Sequence, residues 1–454
     1  MDLSRILAAW CADDHKVFPE SAIERAEAAI ADVVGCLLGG RHDPAVTGAG
    51  KIVRSTGAGG KSSAVTHAVS VTAPWAALIN GCAAHALDFD DNFFPPVTHA
   101  SAVLVPALFA LAEEIDASTD AIVDAYIAGL EVEAQIGKLV NPSHYESGWH
   151  ATSTIGAIGA AAACAVLMRL DEAGVLNAIS IGSSLAGGSK RQFGSMVKPM
   201  HAGFAAMHGV LAAQLAASGV VGVENTLQGK WSFEELYAGS GNVGVFAPRL
   251  FPDAPLAIDE YGLVAKLYPS CMSSHLGIDA MLALSARHRI DLSQIAAIDI
   301  HLPEFMIANL RYQKPGNAME ARFSMNYCAA VTLVHGVPRM HHFAEPALAD
   351  AEVARLLPLV HMHVRETLPE AASLPWGGDC LARITFAEGS VIEHRAVYPK
   401  GCPQNPLSPA QQRDKFMDCA NGNVTGRNAA ALFEKLRNFS RLASLQDVVA
   451  AMRA

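Results

Sequence analysis

The 454 residues are 51% apolar and only 17% charged, enough for a large buried core and for two domains at about 100–200 residues each. The net charge of -11 argues against a nucleic-acid partner but leaves an anionic small molecule open, because local Lys, Arg and His can reverse the field inside a cleft. Nine cysteines, an odd number without any CxxC spacing, exclude a disulfide framework or zinc ribbon and point to a reducing compartment; with no apolar run of the ~18–20 residues a bilayer needs and no signal-peptide pattern, the expectation is a cytoplasmic protein without a membrane partner.

Taken in chain order, residues 2–11 and 21–38 place apolar side chains at helical spacing, and Gly39-Gly40 stops the second run. Thr72 and Pro74 open a helix through about Ala86, since proline suits a first turn. Further helices are expected at 101–115, 118–140, 153–170, 171–185 and 201–218, dense in Ala and Gly and so able to pack closely. No alternating apolar run stands out before about residue 290. Then 295–302 alternates weakly, and 380–397 reads as a hairpin turning at Glu388-Gly389. Helices are expected at 274–287, 322–335 and 350–357, and again at 409–420, 428–436 and 444–452. The fold class expected is mainly α: a large all-helical domain from residues 1–265 and 401–454, with a smaller inserted α+β lid domain at 266–400 and a cleft between them.

The loop between the helices ending near Ala86 and starting near Ser101 carries Asp88, Asp90, Asp91, Asn92, Thr98 and His99. Three uses fit. His85, Asp88, Asp91 and His99 can share a metal, although no HExxH-like signature is present. Asp88 and Asp91 can cap the next turn while His99 begins a helix. A carboxylate can orient a histidine for acid–base work near neutral pH. Downstream, His150 stands just before a small-residue helix, where it either caps or donates to a carboxylate. Lys198 and His201, three apart, share a face if the helix has begun, and Lys198 then suits a carboxylate or carbonyl unless it is simply solvated. Lys266 precedes Cys271 and His275; a lone cysteine is more often inert than nucleophilic. Tyr327 opens an apolar helix, where a tyrosine is usually packed but can also serve as an acid. No dinucleotide GxGxxG, Walker loop or GxSxG occurs.

Together, NGCAAHALDFDD with THAS, GWHATSTIGAIGAAAA, MVKPMHAG, KLYPSC with SSHLGIDA, ARFSMNYCAA and YPKGCPQNPLS resemble the MmgE/PrpD family over nearly the whole chain. That family includes 2-methylcitrate dehydratases, cis-aconitate decarboxylases and iminodisuccinate epimerases. The resemblance implies a helical domain with an α+β lid, usually as a homodimer, and no required cofactor or metal. It implies Asp88, His99, His150, Lys198 and Tyr327 as catalytic residues and Lys266 on the substrate, where Asn92, Cys271 and His275 are expected beside it. Asn92 stands where the decarboxylases have a threonine and Cys271 where they have a histidine, and the 92–99 loop is one residue longer. The expected reaction is removal of a proton beside a carboxylate of a small polycarboxylic acid with loss of water, as in 2-methylcitrate dehydratase. Epimerisation of an iminodisuccinate-like acid, decarboxylation, or simple binding of an organic acid are the alternatives. In that scheme Lys198 and Lys266 hold the carboxylates, Asp88 orients His99 as the base, and His150 or Tyr327 works from the opposite side.

Overall fold

The computed structural model describes residues 2–56, 58–64, 69–238 and 248–453, and these are mostly helical. Among them no helix is long and apolar enough to cross a membrane. The elements that build the centre are α1 (Glu20–Gly40), α2 (Ala73–His85), α3 (Ala100–Ile115), α4 (Thr119–Val140), α5 (Ala151–Leu167) and α6 (Val197–Ala217). Nearly every residue of α2, α3 and α5 is buried, which is why these helices read as apolar on all sides rather than on one stripe.

Small residues set the distances between them. A Cβ on Gly203 of α6 would lie 2.3 Å from the Leu78 carbonyl oxygen, and one on Gly81 of α2 would lie 2.9 Å from Gly203 Cα. The two helices therefore touch backbone to backbone. This contact brings the first turn of α6 against the last turn of α2.

The buried apolar side chains divide into two clusters. One joins residues from Leu3 to Ile258 with the C-terminal residues Phe416 to Met452. The other runs from Val264 to Leu407 and takes in Phe94 and Phe193 from the first part. The second cluster packs α7 (His275–Arg287) and α8 (Met325–His335) on a four-stranded sheet. Its strands, β1 (Ile295–Leu302), β2 (Val360–Val364), β3 (Cys380–Phe386) and β4 (Val391–Ala396), lie in the order β2-β1-β3-β4. β1 runs parallel to β2, with Ile298 beside Val360, and antiparallel to β3, with Ile300 beside Ala382. The β3–β4 hairpin turns through Gly389, whose φ of 91° suits glycine.

Local differences from the sequence expectations have simple causes. β2 is VHMHV, too short and too exposed to show an alternating pattern. A helix at Pro44–Thr56 and the small pairings of Ala58–Ala64 with Val69–Val71 and of Asn92–Phe93 with Leu263–Val264 were likewise not anticipated. Helix α6 begins at Val197, four residues before the expected start, so Lys198 is already helical.

Candidate active site

The site grows from the turn after α2. Asp88 adopts φ 51°, a left-handed conformation that aspartate tolerates better than most residues, and its amide donates to the His85 carbonyl at 3.2 Å. The turn is pinned from the returning C-terminal segment, where the buried Lys415 donates to the Phe89 carbonyl at 2.7 Å while paired with Asp32. In that geometry the Asp88 carboxylate sits between two lysines. Lys198 reaches Oδ2 at 3.0 Å, and Lys266 contacts Oδ1 and donates to the Asp88 carbonyl at 2.9 Å. Burial pushes the Asp88 carboxyl up, but the two lysines outweigh it and hold it well below the usual carboxylate range.

Asp90 forms a second knot. Its carboxylate accepts from His85 Nδ1 at 2.8 Å, and His99 Nδ1 lies 3.2 Å from Oδ2, bent off the line of a strong hydrogen bond. Burial raises the Asp90 carboxyl and the two imidazoles more than reverse it. Because His85 Nδ1–H faces Asp90, its Nε2 lone pair faces Lys198 Nζ at 3.1 Å. Burial takes the His85 pKa down to about 4, against the pull of Asp90. Burial also lowers His99, with Asp90 opposing.

His150 caps the start of α5, and its Nδ1 is 2.9 Å from Nδ1 of His201, one turn along α6 from Lys198. One of the two nitrogens must carry the proton. Burial, then the neighbouring His201 and Lys198, hold His150 well below its ordinary value. The rings of His99 and His150 stand 6.4 Å apart.

Asp88, His99, His150 and Lys198 open on a cleft at the junction of the two apolar clusters, while His85, Asp90 and His201 stand behind its wall. Of the nine residues expected as catalytic or on the substrate, Asp88, Asn92, His99, His150, Lys198 and Cys271 all line it. Three do not. Lys266 is fully buried behind Asp88, so the two ammonium groups expected to cradle a substrate carboxylate cradle a protein carboxylate instead. His275 is buried, with Nε2 3.2 Å from the Ser270 carbonyl and its ring 5.0 Å from that of Tyr268. Tyr327 gives its hydroxyl to the His342 carbonyl at 2.5 Å and packs edge-on against Phe343. The orienting carboxylate for His99 Nδ1 is Asp90 rather than Asp88, whose Oδ1 is 3.9 Å from Nε2. Asp91 faces Ser101 at the start of α3, as a cap would.

Four residues, two behind the cleft wall and two in it, were not assigned site roles from the sequence. His85 and Asp90 were visible in the HALDFDD run, but the pairing depends on a left-handed Asp88 that no spacing rule reveals. Tyr145 and Asn309, the latter donating its amide to Ser273 Oγ at 3.2 Å, line the cleft wall and carry no local signature. Asn92 Oδ1 is buried there without a partner.

The nitrogens of His85, His99 and His150 lie close enough to share a metal ion, as do Asp88, Asp90 and His99. The donor set does not fit that use. Both His85 nitrogens are engaged, and two lysine side chains inside the cluster oppose a further dication.

Comparison with known proteins places the chain among relatives. The model of the MmgE/PrpD N-terminal domain matches residues 5–245, and that of the C-terminal domain matches residues 268–438. The chain is 27% identical to human cis-aconitate decarboxylase, across 81% of this chain and 77% of the relative. Similarity to the mouse enzyme of the same name is 28%, across 75% and 70%. A cis-aconitate decarboxylase of Aspergillus terreus is 26% identical, across 92% and 89%.

Proposed function

The chain belongs to the MmgE/PrpD family, its relatives support an enzyme of lyase type acting on an organic acid, and from that premise we propose a cofactor-independent dehydratase that takes a proton from the carbon beside a carboxylate. The observation that carries the reading is the Asp90–His99 pair in a cleft whose far wall is His150 and whose floor is Lys198. With Nδ1 turned to Asp90, His99 presents Nε2 as a neutral base. Lys198 faces the substrate carboxylate as negative charge spreads onto it, and Asp88 and His85 fix that lysine in place, so little reorganisation is needed at the moment of reaction.

The step balances as follows. His99 Nε2 takes the α-proton, the C–H pair becomes the new C=C bond, and the C–O bond to the β-hydroxyl breaks. His201 donates Nδ1–H to His150, which leaves His150 Nε2–H aimed at the departing hydroxyl as a neutral hydrogen-bond donor. The hydroxide leaves as water with the proton His99 carried. Asn92 Oδ1, buried and unpaired, accepts from the hydroxyl while the substrate is intact. The segment around Val264–Leu407 serves as the lid that closes the cleft from above.

A second reading, decarboxylation, is favoured by the names of the relatives. There the C–CO₂⁻ bond breaks, CO₂ departs, the electron pair stays on the carbon skeleton, and a protonated His99 supplies the proton that quenches it. Incubating the protein with hydroxy acids in deuterated water separates the two: water loss with deuterium at the α-carbon supports dehydration, CO₂ release supports decarboxylation, and no exchange with any acid that binds removes both.

A further inference from the structure

The cations expected for a tricarboxylate are not at the cleft. Among the described residues that line it, Lys198 is the only lysine or arginine, and it already faces Asp88. Lys266 is sealed behind that aspartate. Lys190 approaches the wall but is held 3.5 Å over the Tyr145 ring, with Nζ 3.2 Å from the Tyr145 carbonyl. Cys271 adds a thiol that burial keeps protonated.

The outer half of the cleft is carbon. Phe94, Val97, Phe305 and Trp376 line both the cleft and the vestibule that continues from it towards solvent. Trp376 is fixed by its indole N–H to the Val397 carbonyl at 2.9 Å, so this wall is preset. Phe305 is 44% exposed at the mouth, with its ring edge beside Gly377, so the vestibule opens past an aromatic face. Lys138 and Glu146 also line the vestibule, with opposite charges, and Lys138 Nζ lies 4.9 Å over the Tyr261 ring.

We propose that the substrate is a small hydroxy acid bearing a hydrocarbon arm, alkyl or aryl, in the position where a tricarboxylic acid carries its third carboxylate. The reacting carboxylate lies on Lys198, the hydroxyl on Asn92, and the arm extends between Phe94, Phe305 and Trp376. A third carboxylate placed there would lose its water without gaining a cation. The inference rests on the hydroxy-acid lyase reading but not on its rate, because it concerns affinity.

Citrate and 2-benzylmalate make the test, since they differ only by a carboxylate in place of a phenyl ring. Calorimetry with the full chain is expected to give 2-benzylmalate at least tenfold the affinity of citrate, in line with the roughly 10–200-fold that one methylene earns in an apolar pocket. Phe305→Ala narrows the ratio, and Phe305→Lys, which supplies a cation at an exposed position, shifts it towards citrate. Equal or tighter binding of citrate, or a ratio untouched by both variants, overturns the proposal. Solvent deuterium exchange measured on the same samples keeps the lyase reading separate: exchange with preference for citrate sinks only the hydrocarbon arm, and preference for 2-benzylmalate without exchange sinks only the chemistry.

Discussion

At the inner end of the cleft each carboxylate is enclosed by nitrogen partners: Asp88 lies between the ammonium groups of Lys198 and Lys266, and Asp90 between the imidazoles of His85 and His99. At the outer end Phe305 and Trp376 offer carbon and no counter-ion. The inner network is preorganised, so it can meet charge that appears during reaction. The outer wall is suited to discriminate between substrates before reaction starts. A buried ionic cluster is costly to assemble and costlier to break, whereas an apolar wall tolerates exchange of one side chain for another.

The largest expected effect breaks the inner end. His99→Ala should lower kcat by about 10²–10⁴-fold, the usual contribution of an acid–base group, while the thermal midpoint stays close to that of the parent. Full activity in that variant would remove His99 from the chemistry. Next, Lys266→Ala leaves the buried Asp88 with one partner and should cost about 3–5 kcal/mol in denaturant unfolding. A loss below about 1 kcal/mol would show that the pair is not the buried anchor described here.

The pH dependence sharpens the comparison further. The folded state holds His85 and His201 near 4 and lowers His99 and His150, against about 6.5 in an unfolded chain. Their neutral forms are favoured on folding, so this part of the stability is intact above about pH 6.5 and declines as the pH falls towards about 4. Asp88 and Asp90, depressed by their cations, lose their contribution only at still lower pH. Urea midpoints at pH 7 and pH 5 should therefore fall without any outer-wall residue being involved, and the acid limb of kcat/KM should lie below 6.5. A flat stability profile between those values contradicts the assignment.

Smaller still, Gly203→Ala tests the helix contact that delivers Lys198. Its Cβ would meet the Leu78 carbonyl oxygen at 2.3 Å, so α6 must shift, with about 1–3 kcal/mol lost and activity reduced along with it. Tyr327→Phe is the control. Removing one hydroxyl that faces a carbonyl should cost about 1 kcal/mol and leave kcat within twofold.

What could be read from the residues alone was local. Apolar periodicity placed the major helices, and the Glu388-Gly389 turn marked the β3–β4 hairpin, because these signals depend on neighbours in the chain. Motif order pointed to the family, and the three-residue spacing of Lys198 and His201 anticipated two side chains aimed the same way. The pairing of charges was decided only in three dimensions. Lys266 and Lys198 are 68 positions apart in the sequence, yet the Gly81–Gly203 contact and the left-handed Asp88 bring both to one carboxylate. Tyr327 and His275 looked as chemical as His150 in one dimension; burial against a carbonyl oxygen set them aside. Spacing along a chain fixes which face a side chain shares with its near neighbours, but which distant group satisfies it depends on how closely the backbones approach.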